Sequence, residues 1–179
     1  QNSLEALPEC GMIRIFYAEL EERLDNLPAA KVLVSSYFDS YPSATSFTLA
    51  ERFIRRTEGK IAARKFFSST LGLRKSGRLT HHVYTSHGLL ELLINREPEV
   101  ALRVFELGCM NSADCMTDSS FVHAYGRVLV QLGKLDDLRA MYTRAMEQSS
   151  PPTALRMLDE LIDYEETLLM SNPRRYTFQ

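Results

Sequence analysis

The stretch "TEGKIAARKFFSST", residues 57–70, decides the fold. Its Gly59-Lys60 pair resembles the opening of a phosphate-binding turn, and a helix follows it. Ala63, Phe66, Phe67 and Thr70 stand at i, i+3, i+4 and i+7, one stripe of an α-helix. A phosphate loop would need Gly, four residues, then Gly-Lys-Ser/Thr. At the second Gly-Lys pair, Gly133-Lys134, six residues separate Gly126 from Gly133, and Leu135 follows the lysine. Both pairs therefore read as turns between helices, where a residue free to take positive φ is useful.

The stripe recurs. Ala30 is followed by Leu33, Val34 and Tyr37; Ala101 by Val104, Phe105 and Gly108; Leu138 by Met141, Tyr142 and Ala145. The anchors 30, 63, 101 and 138 are 33, 38 and 37 residues apart. A second column, Leu20, Phe53, Leu90 and Val128, precedes those anchors by 10, 10, 11 and 10 residues. Each of its members closes an earlier amphipathic segment: "MIRIFYAELEE", "SFTLAERFI", "HHVYTSHGLLELL" and "FVHAYGRVLV". Short breaks separate the columns: "DNLP", "EGK", "NREP" and "LGK". Each unit reads helix, tight turn, helix. A fifth first helix is "TALRMLDELIDYEE", with Tyr164 in the Phe53 place. Ten residues on stands Arg174, just past Pro173, which a helix interior tolerates poorly.

Paired helices at this period predict an all-α solenoid with a right-handed superhelix. The expected repeats run about 8–42, 43–77, 78–114, 115–149 and 150–179. Their expected core is Leu20, Ala30, Phe53, Ala63, Phe67, Leu90, Ala101, Phe105, Val128, Leu138, Tyr142 and Tyr164. Tyr17, Tyr84 and Tyr125 extend this ladder of aromatics. Leu102, Leu107, Leu129 and Val130 fall off the stripes and form a candidate face for a second copy.

Composition narrows function. Of 179 residues, 45% are hydrophobic and 25% charged, which is globular usage and argues against disorder. No apolar run approaches the roughly 18 residues of a membrane span. The chain reads as a piece of a longer protein. Cys10, Cys109 and Cys115 have no paired spacing and read as reduced thiols, with a Cys109–Cys115 redox pair the minor alternative. The net charge of −2 argues against bulk nucleic-acid affinity.

The charge is uneven. Nine Lys/Arg and the single acid Glu58 fall between Arg52 and Arg78, whereas Asp159 to Glu166 holds five acids and no base. Arg55, Arg56, Lys60, Arg74, Lys75 and Arg78 form a candidate docking patch, suited to an acidic protein segment more than to RNA because no exposed aromatics interleave. Acid pairs such as Glu21-Glu22 and Glu165-Glu166 read as solvated faces or as partners of a neighbouring repeat's arginine.

No catalytic, cofactor-binding or metal motif stands out. His81 and His82 are adjacent, and on a helix they point about 100° apart, an awkward start for one small ion. His82 is expected to cap or pack between repeats and His81 to meet solvent. A helical enzyme with a site built from His82, His87 and nearby acids is the rival reading, and it predicts a deep polar pocket.

The units resemble half-a-tetratricopeptide (HAT) repeats, whose second helix favours Ala-Arg-x-aliphatic-aromatic; "ARKFF" (63–67) carries it, with looser forms in "ALRVF" (101–105) and "LRAMY" (138–142). Near the column where HAT first helices usually hold Trp stand Arg14, Phe47, Tyr84, Val122 and Leu158. A closer resemblance is to the suppressor-of-forked family, the HAT subunit of cleavage stimulation factor. It runs through "FYAELEE", "ERFIRRTEGKIAARKFF", "RLTHHVYTSHGLLE", "VALRVFELG", "SSPP" and "RRYTF". The resemblance implies a nuclear, non-catalytic scaffold for pre-mRNA cleavage and polyadenylation. It further implies the C-terminal half of the HAT array, which drives homodimerisation. Its partners would be a second copy and other subunits of that machinery, with no cofactor and no membrane. The alternative is a HAT scaffold of splicing or ribosomal-RNA processing.

Overall fold

The computed structural model describes residues 11–171, with the backbone alone for Met12, Leu169 and Ser171. Cys10, Pro173, Arg174 and the closing "RRYTF" lie outside the described residues. Among the described residues every regular element is helical and none is a strand. The chain divides into two compact units, Gln1–Val83 and Tyr84–Gln179.

The first unit holds two helical hairpins, α1 (Gly11–Arg23) with α2 (Leu27–Ser40) and α3 (Ala44–Thr57) with α4 (Lys60–Ser69), then the short α5 (Leu71–Lys75). Pro28 in the first turn starts α2 at no hydrogen-bond cost. A capping box starts α3: the Ser46 amide donates to Ser43 Oγ at 3.2 Å and the Ser43 amide donates to Ser46 Oγ at 2.9 Å. The core is a nest of rings. Phe47 of α3 stacks on Phe66 of α4 at 5.4 Å between centroids and meets Phe67 edge-on at 6.2 Å. Phe38 of α2 closes the cluster edge-on at 5.2 Å from Phe66.

The second unit runs through α6 (His82–Leu89), a π-helical turn (Leu90–Ile94), α7 (Pro98–Asn111), a 3₁₀ turn (Ala113–Thr117), α8 (Ser119–Gln131), α9 (Leu135–Gln148) and α10 (Pro151–Ser171). The body of α6 lies in this unit, although His82 and Val83 at its start do not. The π turn accounts for an irregularity in the sequence. Leu90 precedes its anchor by 11 residues where the other columns have 10, and the π turn absorbs the extra residue through the Asn95 amide bonding Leu90 O at 3.0 Å. Asp118 caps α8 by accepting from the Phe121 amide at 2.8 Å. Asp136 and Asp137 sit in the first turn of α9, where the helix dipole favours them.

Here the helices approach closely through glycine. A Cβ built on Gly88 would lie 2.4 Å from the Phe105 ring, one on Gly108 2.9 Å from the Phe121 ring, and one on Gly126 3.1 Å from the Tyr142 ring. In each case an aromatic of the next helix rests on bare backbone. Phe105 also stacks on Tyr125 at 5.4 Å and meets Phe121 edge-on at 5.1 Å.

One device repeats through both units. The turn inside each hairpin contains a residue in the left-handed region: Asp25 (φ 61°), Gly59 (φ 92°), Arg96 (φ 59°) and Gly133 (φ 69°). Gly59 stands just before α4 as a turn residue, as its sequence context predicts.

Ala30, Phe53, Ala63, Phe67, Leu90, Ala101, Phe105, Val128, Leu138 and Tyr142 are all buried. Leu20 is not a core residue: it is 49% exposed, and α1 buries Ile15 and Ala18 instead. Two positions on a helix are about 200° apart, so the face carrying Ala18 turns Leu20 away. Tyr164 is half-buried, with its ring 6.4 Å from Tyr142 and stacked on His123 at 5.6 Å.

Candidate interaction surfaces

The basic segment does not form one patch. Arg74 is buried: its guanidinium lies over the Phe67 ring at 4.0 Å, and Nη2 donates to Phe67 O at 2.9 Å. This arginine therefore ties α5 to α4 and leaves the docking set, a correction to the sequence reading. The sequence could not separate it from Lys75, because only the geometry of α5 turns one inward and the other out. Arg56 is half-exposed and already engaged, with a bidentate pair to Glu22 that joins α3 to α1. That pair lowers the Glu22 carboxyl below its ordinary range, the hydrogen bond from Arg56 being the main cause, and raises Arg56. Lys60, Lys75 and Arg78 are exposed, and Arg55 is half-buried. In the same unit Lys31 of α2 pairs with Glu58 at 2.7 Å.

The expected self-association face is corrected too. Leu102 is 6% exposed and Leu129 is fully buried, while Leu107 and Val130 are half-buried. Helix α7 buries Ala101, Leu102, Val104, Phe105 and Gly108, a band wider than one stripe, because it packs against both the π turn and α8. Stripes of exposed apolar side chains lie elsewhere: Phe16 and Leu20 on α1 with Leu24 just after it, and Leu155, Leu158 and Ile162 along α10.

Each unit has a groove between successive first helices. In the first it has an apolar floor of Ile15, Ala18 and Phe53 and a rim of Glu19, Glu22, Arg52 and Arg56. In the second it brings together Thr85, Ser119, Ser120, His123, Arg127 and Glu160. Glu160 accepts from Tyr142 Oη at 3.2 Å and lies 3.5 Å from His123 Nδ1. Burial pushes the Tyr142 phenol upward and the Tyr164 phenol up to about 12, so both stay protonated as donors. Arg139 Nε donates to Glu165 at 2.7 Å, joining α9 to α10. Glu22 and Glu165 thus both meet an arginine of a neighbouring hairpin.

His82 and His87, the two histidines of the rival reading, do not share a face of α6. His82 is exposed and His87 is buried, and five helical residues turn them about 140° apart. His81, not His82, is the half-buried member of the adjacent pair. The two rings lie 4.2 Å apart, closer than helical geometry suggests, because His81 precedes the helix. His87 and Glu91 form a buried pair one turn apart at 3.8 Å, beside the π turn. Cys109 and Cys115 are free thiols. Burial raises both, Cys115 to about 12, so neither presents a thiolate at neutral pH.

Sequence reasoning missed the glycines beneath the rings. Gly88 precedes Phe105 by 17 residues and Gly126 precedes Tyr142 by 16, a recurrence that was available to be read. No helix among the described residues is long and apolar enough to cross a membrane.

Comparison with known proteins bears on these surfaces. The family described as suppressor of forked protein matches residues 1–172. "Cleavage stimulation factor subunit 77" of Arabidopsis thaliana is 30% identical over 167 residues, covering 93% of this chain and 22% of that protein. "mRNA 3'-end-processing protein rna14" of Schizosaccharomyces pombe is 30% identical over 112 residues, covering 63% of this chain and 14% of that protein. The chain therefore spans at most about a fifth of these relatives. Among solved structures, YrrB, titled a TPR protein with an unusual peptide-binding site, has a TM-score of 0.45 at 20% identity, over 92% of this chain and 91% of that one.

Proposed function

The chain belongs to the suppressor of forked family, and from that membership we propose that it is a non-catalytic assembly platform in mRNA 3'-end processing. The single observation that carries this reading is the match over residues 1–172, in a family whose relatives are named for cleavage stimulation and mRNA 3'-end processing. In this reading the chain is the C-terminal part of a HAT-repeat domain, works in the nucleus in pre-mRNA cleavage and polyadenylation, and associates with a second copy and with other subunits of that machinery. The architecture supports it. The large rings are used in holding hairpins together, and what remains outside is charged rims and apolar helix faces, which suit protein contacts.

The test is co-purification of the tagged protein from nuclear extract. Recovery of cleavage and polyadenylation subunits is expected; recovery of splicing or ribosomal-RNA processing factors instead would overturn the assignment. Sedimentation at micromolar concentration checks self-association, where dimer is expected and monomer alone contradicts it. Three exposed residues of the candidate patch, Lys60, Lys75 and Arg78, are proposed to meet an acidic protein segment. Replacing these three with Gln should weaken partner recovery most at low salt, and unchanged recovery discards the patch.

A further inference from the structure

Among the described residues, α10 leaves open a face that the first helices of repeats two to four bury. Six residues before each member of the column Phe53, Leu90, Val128 and Tyr164 stand Phe47, Tyr84, Val122 and Leu158. Phe47 is 0% exposed, Tyr84 2% and Val122 0%, whereas Leu158 is 40% exposed. Two residues before the column the pattern repeats. Gly88 lies against Phe105 of α7 and Gly126 against Tyr142 of α9, whereas their counterpart Ile162 is 46% exposed. In repeats three and four the residue two before the column lies beneath the repeat's own second helix; on α10 nothing among the described residues lies there. The opposite side of α10 is occupied, with Met157 fully buried and α8 and α9 packed on it.

We propose that this face is a docking site for a basic amphipathic helix supplied by a protein partner. A helix fits because the face has the geometry that a second helix covers in the other repeats. Basic character follows from the flanks: Asp159, Asp163 and Glu166 are exposed beside Leu158 and Ile162, and no Lys or Arg falls between Asp159 and Glu166. A second copy is poorly matched. Its basic helix α4 already has Ala63 and Phe67 buried, and the open stripe of Phe16 and Leu20 on α1, with Leu24 just after it, runs beside the acids Glu19, Glu21 and Glu22. The inference rests on the assembly reading by naming a partner chemistry, but its test measures binding alone and does not depend on mRNA processing.

The test uses the whole chain and two labelled peptides drawn from it. Residues 60–75 are the basic second helix α4 with the short α5; residues 135–148, also a second helix, have a net charge of −1 from Asp136, Asp137, Arg139, Arg144 and Glu147. By fluorescence anisotropy the basic peptide should bind at least about tenfold more tightly than the other, the more so at low salt. Leu158→Asp and Ile162→Asp should each weaken it about tenfold. Asp159→Asn with Asp163→Asn, which leaves the stripe untouched, should weaken it about threefold and flatten the salt dependence. Val32→Asp, on an exposed position of α2, should change nothing. Absence of binding, equal binding of both peptides, or full affinity in the variants would overturn the proposal. So would sedimentation showing a dimer that Leu158→Asp abolishes, since a second copy would then be the occupant.

Discussion

The α3–α4 hairpin and the second unit close by different means. In α3–α4, ring meets ring: Phe47 is sandwiched among Phe38, Phe66 and Phe67, and the small residue on α3 is Ala50, whereas the α1–α2 hairpin seats Tyr37 on Gly11. In the second, ring meets backbone, with Phe105, Phe121 and Tyr142 each seated on a glycine. The same period thus supports two packing solutions, one with a methyl group at the helix crossing and one in which the ring rests on bare backbone. What the repeat specifies is the place of the large side chain, and what supports that side chain is free to differ.

The largest effects should come from the rings themselves. Phe47→Ala and Phe105→Ala, one in each unit and both fully buried, should each cost about 3–5 kcal/mol in denaturant unfolding. A cost below about 1 kcal/mol at either site would end the equivalence of the two clusters. The next effect separates the units. Gly88→Ala gains about 1 kcal/mol of helix propensity but forces the Phe105 ring to move, so a net loss of about 1 kcal/mol is expected. Gly126→Ala, whose added carbon meets Tyr142 at 3.1 Å and Leu138 at 3.3 Å, should stay within about 0.5 kcal/mol of the parent.

The turns offer a mirrored pair. Gly59→Ala forces an alanine to φ 92° and should cost about 1 kcal/mol, whereas Arg96→Gly relieves a non-glycine at φ 59° and should gain up to about 1 kcal/mol. Thermal melts of the two variants should move in opposite directions. The smallest effect is the exposed pair. Glu22→Gln should cost no more than about 1 kcal/mol. Because the Glu22 carboxyl is lowered in the fold, its contribution is present above the ordinary value of 4.5 and lost as pH falls through the folded value. Parent and variant should therefore differ at neutral pH and converge in acid.

Much of this architecture was legible in the chain. The anchors Ala30, Ala63, Ala101 and Leu138 declare the second helices because a buried stripe must recur every turn. Gly59 and Gly133 declare two of the four turns, while Asp25, which tolerates positive φ but does not require it, and Arg96, which rarely takes it, conceal the others. The interaction surfaces were less legible, for a physical reason. A repeat helix is contacted from more than one side, so Leu102 and Leu129, off the main stripe, are buried nonetheless. Charge in sequence gives no direction, so Arg74 and Lys75 look alike until α5 is folded. The open face of α10 was hidden because Leu158 and Ile162 occupy the same register as covered residues in the other repeats.

The account stands on the large side chain of one helix resting on the small residue of its partner, and a double-mutant cycle on Gly88 and Phe105 tests it most directly. With the ring present, alanine at 88 should destabilise; with Phe105→Ala in place it should become neutral or stabilising, a coupling of about 1 kcal/mol or more. An equal cost for Gly88→Ala in both backgrounds would contradict it.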